Sequence, residues 1–329
     1  MYVWYDACTG KHVRYGVAIA KKLREGGHEV VLTTRRHPDT VPLAKFLNEN
    51  FIVVGKYNPK SLLFRLREGA KRQLLFCKIF EEKVPDVAIS HGSVDQIRVA
   101  FGLKIPTITT VDTPYADAVH RLTLPLADYI VASKAIPVAT LQRYNISGKI
   151  IQFDGVDEVA WIRGFKPLVK YDFRRPLIVV REVEERAVYA KGTFSFVELA
   201  RKLTQLGTVI FLQRYYRKTI KGLIIPRGFV DSASLVAQAD LFVGAGGTIT
   251  REAALQGTPA IVVDMFHEQY VNDYLAEKGF PIFKAEVSSV VNIAKKLLGE
   301  RKNVADLLAN LENPVDVILK ILDDLKSAG

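Results

Sequence analysis

The residues with the clearest chemical purpose lie between Gly244 and Pro259. This stretch follows the apolar run Leu241-Phe242-Val243 and precedes Ala260-Ile261-Val262-Val263, so it reads as strand, glycine turn, short helix and strand. Gly244, Gly246 and Gly247 free the backbone for a sharp turn. The helix they open aims its first N–H groups at whatever sits there, which suits a phosphate or a sugar hydroxyl. Thr248 and Glu252, four apart, share one face of that helix. The spacing is not G-x-G-x-x-G and no G-K-[ST] accompanies it, so neither a dinucleotide nor a Walker-type site is indicated. A tight crossover without a ligand is the plain alternative for the glycines alone.

Other reactive side chains fall just after strand-like runs. Asp6-Ala7-Cys8-Thr9-Gly10-Lys11-His12 opens a helix, where the dipole lowers an imidazole pKa and favours the neutral ring that can serve as a base. Asp6 can orient that ring or cap the turn, Thr9 can cap the helix, and no activating pattern surrounds Cys8. Ser90-His91-Gly92-Ser93 and Asp112-Thr113-Pro114 are good cap and turn chemistry in equivalent places. Arg181 and Arg186 can hold a phosphate or pair with Glu182, Glu184 and Glu185. His267-Glu268 begins like H-E-x-x-H, but Val271 stands where the second histidine would be. With no Asp-x-Asp motif either, a metal-free site is expected.

These loops need a scaffold that gathers them. Strand-like runs from Val3–Asp6 to Lys149–Phe153 alternate with helical stretches such as His12–Arg24, Ser61–Lys83 and Ser93–Phe101. The rhythm breaks between Asp154 and Arg175 and then resumes, with strands including Leu177–Val180, Leu223–Ile225 and Leu241–Val243 and a helix over Thr193–Leu206. The expected class is α/β: two Rossmann-like domains with parallel sheets facing across a cleft. An N-terminal domain is expected over residues 1–165 and a C-terminal one over 166–329, its last helices able to pack back on the first. Ligands of such sheets bind outside the carboxyl ends of the strands, where the candidate loops fall.

Composition narrows the partners. Lysine and arginine outnumber aspartate and glutamate by 46 to 35, a net charge of +11 that attracts polyanions, anionic membranes or phosphorylated small molecules. No apolar run approaches ~20 residues, the start lacks the features of a signal peptide, and the two cysteines, Cys8 and Cys77, fit a reducing cytoplasm. From Lys60 to Lys83, leucines and phenylalanines interleave with Arg65, Arg67, Lys71, Arg72 and Lys78. An ordinary domain helix with a solvated basic face is one reading, and peripheral contact of Ser61–Lys83 with an anionic bilayer is the other. The basic cluster Arg214-Tyr215-Tyr216-Arg217-Lys218 has no nucleic-acid module beside it, so no nucleic acid is expected.

Taken together, Gly244 to Ala254, Gly257-Thr258-Pro259, Phe229-Val230-Asp231, Thr9-Gly10-Lys11-His12 and His267-x-Gln269-x-x-Asn272 resemble GT-B-fold glycosyltransferases, notably the N-acetylglucosaminyltransferase that forms lipid II. UDP-N-acetylglucosamine 2-epimerases share the Glu-Ala-x-x-x-Gly-x-Pro core. Over almost the whole chain, Asp6…His12, Arg24 to Val30, Asp112-Thr113, Leu124 to Asp128, Asp154-Gly155…Glu158 and Gly246 to Ala254 are similar to an uncharacterised GT-B-like domain-of-unknown-function family. The resemblance implies a metal-independent glycosyltransferase with a nucleotide-diphospho-sugar donor, UDP-linked by preference, no cofactor, and an open acceptor, a lipid-linked one among the options. It further implies that Gly244, Gly246, Gly247 and Thr248 cradle the diphosphate, that Glu252 accepts from the ribose, and that His267, Glu268 and Gln269 face the sugar. Arg181 would help hold phosphate, and His12 would be the base with Asp6 or Asp112 as competitor. A 2-epimerase and a non-catalytic nucleotide-sugar-binding protein are the alternatives. Two loops depart from the pattern: Arg181-Glu-Val-Glu-Glu replaces a glycine- and serine-rich turn, and Ala7-Cys8-Thr9-Gly10-Lys11 replaces a fuller glycine run or Asn-Pro-Pro.

Overall fold

A computed structural model describes residues 1–182, 195–213, 218–265 and 268–328. The chain forms two compact units, one of residues 1–161 with 311–329 and the other of residues 162–310.

The first unit holds a parallel sheet of seven strands: β1 (Tyr2–Ala7), β2 (Glu29–Arg36), β3 (Ile52–Lys56), β4 (Val87–Ser90), β5 (Thr107–Val111), β6 (Tyr129–Ser133) and β7 (Lys149–Phe153). Their spatial order is β3-β2-β1-β4-β5-β6-β7. The chain therefore winds one way from β1 through β3, returns to the far side of β1, and winds the other way from β4. The central strands β1, β4 and β5 are buried nearly end to end, as all-parallel strands covered on both faces must be. Helix Gly10–Glu25 lies close on β1 because Gly16 has no side chain: a Cβ there would stand 2.4 Å from the Tyr5 ring. The last helix, Pro314–Ala328, buries Val315, Ile318, Ile321 and Leu322 in this same core. Their helical spacing forms a single apolar stripe, each large side chain worth roughly 1.5–3 kcal/mol when withdrawn from water.

The second unit holds five parallel strands: β8 (Leu177–Arg181), β9 (Thr208–Leu212), β10 (Leu241–Gly244), β11 (Ala260–Val263) and β12 (Ile282–Ala285), in the order β12-β11-β10-β8-β9. Its winding reverses between β8 and β10. Strands β10 and β11 are buried throughout and join through helix Thr248–Leu255, the βαβ unit read from the sequence.

Three elements differ from expectation. Leu223–Ile225 is not a strand; it makes one parallel bridge, Ile210 to Ile224, at the sheet edge. The helix expected over Thr193–Leu206 spans Phe196–Leu203 within the described residues, with Ser195 accepting from the Glu198 N–H as its cap. That expected over Ser61–Lys83 spans Leu62–Ile79, opened by Ser61 accepting from the Phe64 N–H.

Candidate functional site

In the first unit the winding reverses between β1 and β4, so the loops after these strands diverge and leave a crevice at the carboxyl edge. A pocket of about 430 Å³ opens there, bordered by Cys8 and His12 after β1, His91 after β4 and Asp112 after β5. Arg35, Lys56 and Arg65 add positive charge to its wall.

Beneath the pocket lies a buried ion pair. Arg72 Nη2 and Nη1 donate to the two oxygens of Asp6 at 2.6 and 3.0 Å, and both residues are essentially without solvent exposure. The carboxylate also accepts from Thr33 Oγ1 at 2.7 Å and Ser93 Oγ at 2.6 Å, while Arg72 Nε donates to the Val54 carbonyl at 2.9 Å. Burial alone would lower the Arg72 pKa; the adjoining Asp6 carboxylate more than offsets that and holds the guanidinium well above its ordinary value. Asp6 therefore neither faces the pocket nor touches His12, and its orienting or catalytic role gives way to a structural one. Burial, and then the Asp6 charge, push the Cys8 thiol up, which keeps it a poor nucleophile.

His12 is placed by Thr9, whose extended backbone and hydroxyl cap the helix by accepting from the His12 N–H. Its ring Nδ1 accepts the Cys8 backbone N–H at 3.3 Å. Burial, with the His91 ring and the Lys11 ammonium nearby, holds the His12 pKa well below the ordinary histidine value, so the ring is neutral. A neutral ring that accepts at Nδ1 carries its proton on Nε2. His12 is thus set to donate a hydrogen bond, the reverse of the expected base role.

Asp95 and Glu68 line the pocket wall, and the carboxylate beside the pocket's histidines is Asp112. One of its oxygens accepts from Lys11 Nζ at 2.5 Å and the other contacts His91 Nε2 at 3.1 Å. His91 Nδ1 meets Thr110 Oγ1 at 2.6 Å, so both ring nitrogens are engaged and the ring is fixed. Lys11 Nζ also donates to Asp157 at 2.7 Å and lies 3.8 Å from Glu158. His91, Asp112 and Asp157 bring ligand atoms within 4.8 Å of one another, a grouping able to hold a metal ion that no sequence motif revealed. The Lys11 ammonium already sits against both carboxylates as a resident cation. His91, Lys11 and Asp157 were missed as a set because 146 residues separate Lys11 from Asp157; their shared signal is position, each just after a strand.

In the second unit, Gly244 ends β10 beside Arg181 at the end of β8, at the point where winding reverses. Gly246 and Gly247 both have φ of +94°, open only to glycine at small cost. A Cβ on Gly246 would stand 2.0 Å from Gln269 Oε1; Gln269 Nε2 donates to the Ala245 carbonyl and Asn272 Nδ2 donates to Gln269 Oε1, pinning the turn. Gly247 is the N-cap of helix Thr248–Leu255 and supplies no side chain to its N–H groups. Space around Gly247 is open. Glu252 is fully buried, accepting from Ser232 Oγ at 2.9 Å, so it backs the turn and offers no surface to a ribose. Arg181 Nη1 donates to the Gln213 carbonyl, and exposed Glu268 accepts from Tyr270 Oη. His267, Arg186, Glu184, Glu185 and residues 214–217 of the basic cluster lie outside the described residues.

Comparison with known proteins fits this geometry. The model of a family described as protein of unknown function (DUF354) matches residues 1–326. An uncharacterized protein of Methanocaldococcus jannaschii is 30% identical over 97% of this chain and 96% of its own. Among solved structures, UDP-GlcNAc 2-epimerase of Methanocaldococcus jannaschii, in complex with UDP-GlcNAc and UDP, aligns with a TM-score of 0.67 at 16% identity, covering 98% of this chain and 99% of that one. Spinosyn rhamnosyltransferase, complexed with thymidine diphosphate, aligns with a TM-score of 0.59 at 13% identity over 97% and 99%. At such identities the likeness establishes the fold: two parallel-sheet α/β units of the GT-B-like kind.

Two outcomes are expected. Arg72→Met strands the buried Asp6 charge and lowers unfolding free energy in urea by about 3–5 kcal/mol; a loss under about 1 kcal/mol would contradict the pair's role. For His12, folding favours the neutral ring, so its contribution is present above the unfolded pKa of about 6.5 and is lost as pH falls through the depressed folded value. Wild type should lose up to about 1.4 kcal/mol per pH unit more than His12→Gln below about pH 6.5, and equal slopes would refute a buried neutral ring.

Proposed function

This chain belongs to the DUF354 family, and on that premise we propose that it is a cytoplasmic glycosyltransferase. In this reading the glycine turn of the second unit binds a nucleotide-diphospho-sugar, a UDP-sugar by preference, and the histidine-lined pocket of the first receives the acceptor. The observation that carries the reading is Gly246-Gly247-Thr248: a helix N-terminus at the winding reversal, with no side-chain cap and open space before it. Main-chain N–H groups there suit a diphosphate, both as a bound ligand and as a departing group. Arg181, beside Gly244, supplies a positive charge at the same edge. The solved structures of like fold that carry UDP-GlcNAc, UDP or thymidine diphosphate support a ligand of this class.

Asp112 is the proton acceptor we assign. The acceptor oxygen bonds to the anomeric carbon, the bond from that carbon to the diphosphate oxygen breaks with its electron pair leaving on the nucleotide, and the hydroxyl proton passes to Asp112. His91 and Lys11 hold that carboxylate, and His12 Nε2–H orients the acceptor oxygen. This scheme routes no step through a metal: Lys11 supplies a cation beside Asp112 and Asp157, and backbone N–H groups suit the diphosphate. The second reading, sugar 2-epimerisation, is favoured by the higher structural similarity to an epimerase, 0.67 against 0.59.

A thermal-shift screen with UDP, UDP-GlcNAc and thymidine diphosphate tests the reading, since ligand at 100 times its Kd adds about 2.7 kcal/mol. Gly246→Val should abolish the shift, whereas Asp112→Asn should keep it and lower turnover by about 10²–10⁴. No shift with any nucleotide or nucleotide-sugar defeats every nucleotide-sugar reading. Nucleotide release that rises with a cell extract as acceptor source marks transfer; C2 inversion without release marks an epimerase. Binding with neither marks a non-catalytic protein.

A further inference from the structure

Helix Leu62–Ile79 has two apolar stripes. One, with Arg72 and Phe76, is buried against the first unit's sheet. The other points to solvent: Leu63, Leu66, Ala70, Leu74 and Cys77 recur at spacings of three and four, which places them on a single helical face. Leu63, Leu66 and Leu74 are 61, 72 and 67% exposed, and Leu62, at 80%, extends the stripe at the helix start. An amphipathic helix of a domain normally spends its apolar residues on the core, so a contiguous outward stripe calls for an occupant.

Charge decides which occupant fits. Arg67, Lys71 and Lys78, all exposed, run along one border of the stripe. The helix has a single acidic residue, Glu68, which lines the pocket and reaches Lys71 at 3.9 Å, so the border keeps a net positive charge. A second copy of the chain seated on this face would bring those three cations against their own counterparts. A bilayer with anionic headgroups meets both features, hydrocarbon for the leucines and phosphate for the bordering cations. The edge strand β3, on which the helix packs, adds exposed Ile52 and Val53.

We propose that the outer face of helix Leu62–Ile79 docks on an anionic lipid bilayer. The inner face of the same helix contributes Arg65, Glu68, Gly69 and Arg72 to the wall of the pocket, so docking would hold that pocket one helix diameter, roughly 10 Å, from the bilayer. If the transferase reading holds, an acceptor whose hydroxyl extends from the membrane on a flexible lipid-linked chain fits this placement. The docking surface stands on the helix alone; the acceptor class rests on the transferase reading. No helix among the described residues is long and apolar enough to cross a membrane, so the contact is peripheral.

Co-sedimentation of the full chain with vesicles, without nucleotide, tests the docking independently of that reading. Vesicles of phosphatidylcholine with about one-third phosphatidylglycerol should carry the protein down, pure phosphatidylcholine should not, and about 0.5 M salt should release it. Leu63→Ser/Leu66→Ser/Leu74→Ser should weaken partitioning at least about tenfold with an unchanged unfolding temperature, because these side chains are already exposed. Arg67→Glu/Lys71→Glu/Lys78→Glu should do the same through the charge term. Absence of sedimentation, equal binding to neutral vesicles, or full binding by the leucine variant would overturn the proposal. So would a wild-type dimer in light scattering that the leucine variant converts to monomer, since that assigns the stripe to a second copy.

Discussion

The first unit depends on one buried contact, the Asp6–Arg72 pair. Asp6 belongs to β1 and Arg72 to the helix after β3; the pair is completed by Thr33 on β2, the Val54 carbonyl on β3 and Ser93 after β4. The Arg72 guanidinium, held by Asp6 and also by Asp95 at 3.2 Å, thus ties four strands or their loops to a helix. Two charges taken out of water are tolerated only because nearly every donor and acceptor position is used. Burial separates this acid from Asp112: Asp6 has no solvent exposure and does not border the pocket, whereas Asp112 does. The pair also explains the outward stripe. Arg72 and Phe76 seat the helix by one face, and the leucines opposite are left to solvent.

Much of this was legible in the sequence. Regular alternation of apolar runs and helical stretches specifies parallel doubly wound sheets, because each buried strand needs helices on both faces. The glycine turn was legible for a local reason: Gly246 and Gly247 require positive φ, and only glycine adopts it at small cost. Position after a strand picked out His12 and Asp112, which do line one pocket. What sequence could not supply was long-range pairing. Asp6 looked like a companion to His12 from six residues away, yet its partner is 66 residues distant. Glu252 shares a helix with the glycine turn, but the face it occupies is sealed by Ser232, and burial of that kind is decided by packing of one helix on another. Leu223–Ile225 has strand-like residues, and its location at the sheet edge yields one bridge only.

The two winding reversals are equipped differently. At the first, side chains carry the charge: Lys11 against Asp112 and Asp157, with His91 between. At the second, the described groups around the turn are mostly backbone, with Gly247 leaving the helix start uncovered. Side chains can gain or release a proton near neutral pH, whereas peptide N–H groups offer fixed dipoles and no titration. The first site therefore offers groups that can exchange a proton, and the second offers fixed dipoles suited to an anion.

Within the first site, the state of His12 follows from its neighbours. A protonated imidazole beside the Lys11 ammonium would add a second cation to a half-buried spot, and the Cys8 N–H already claims Nδ1 as an acceptor. Both constraints select the neutral ring with its proton on Nε2. A neutral donor can polarise a hydroxyl without protonating it, which leaves the adjacent carboxylate as the proton sink of the proposed reaction. Were His12 the base, Cys8 would have to surrender its hydrogen bond and Nδ1 would need another acceptor to hold a proton. In the reaction we propose, the backbone of the β1 loop thereby leaves orientation of the acceptor to His12 and proton transfer to Asp112.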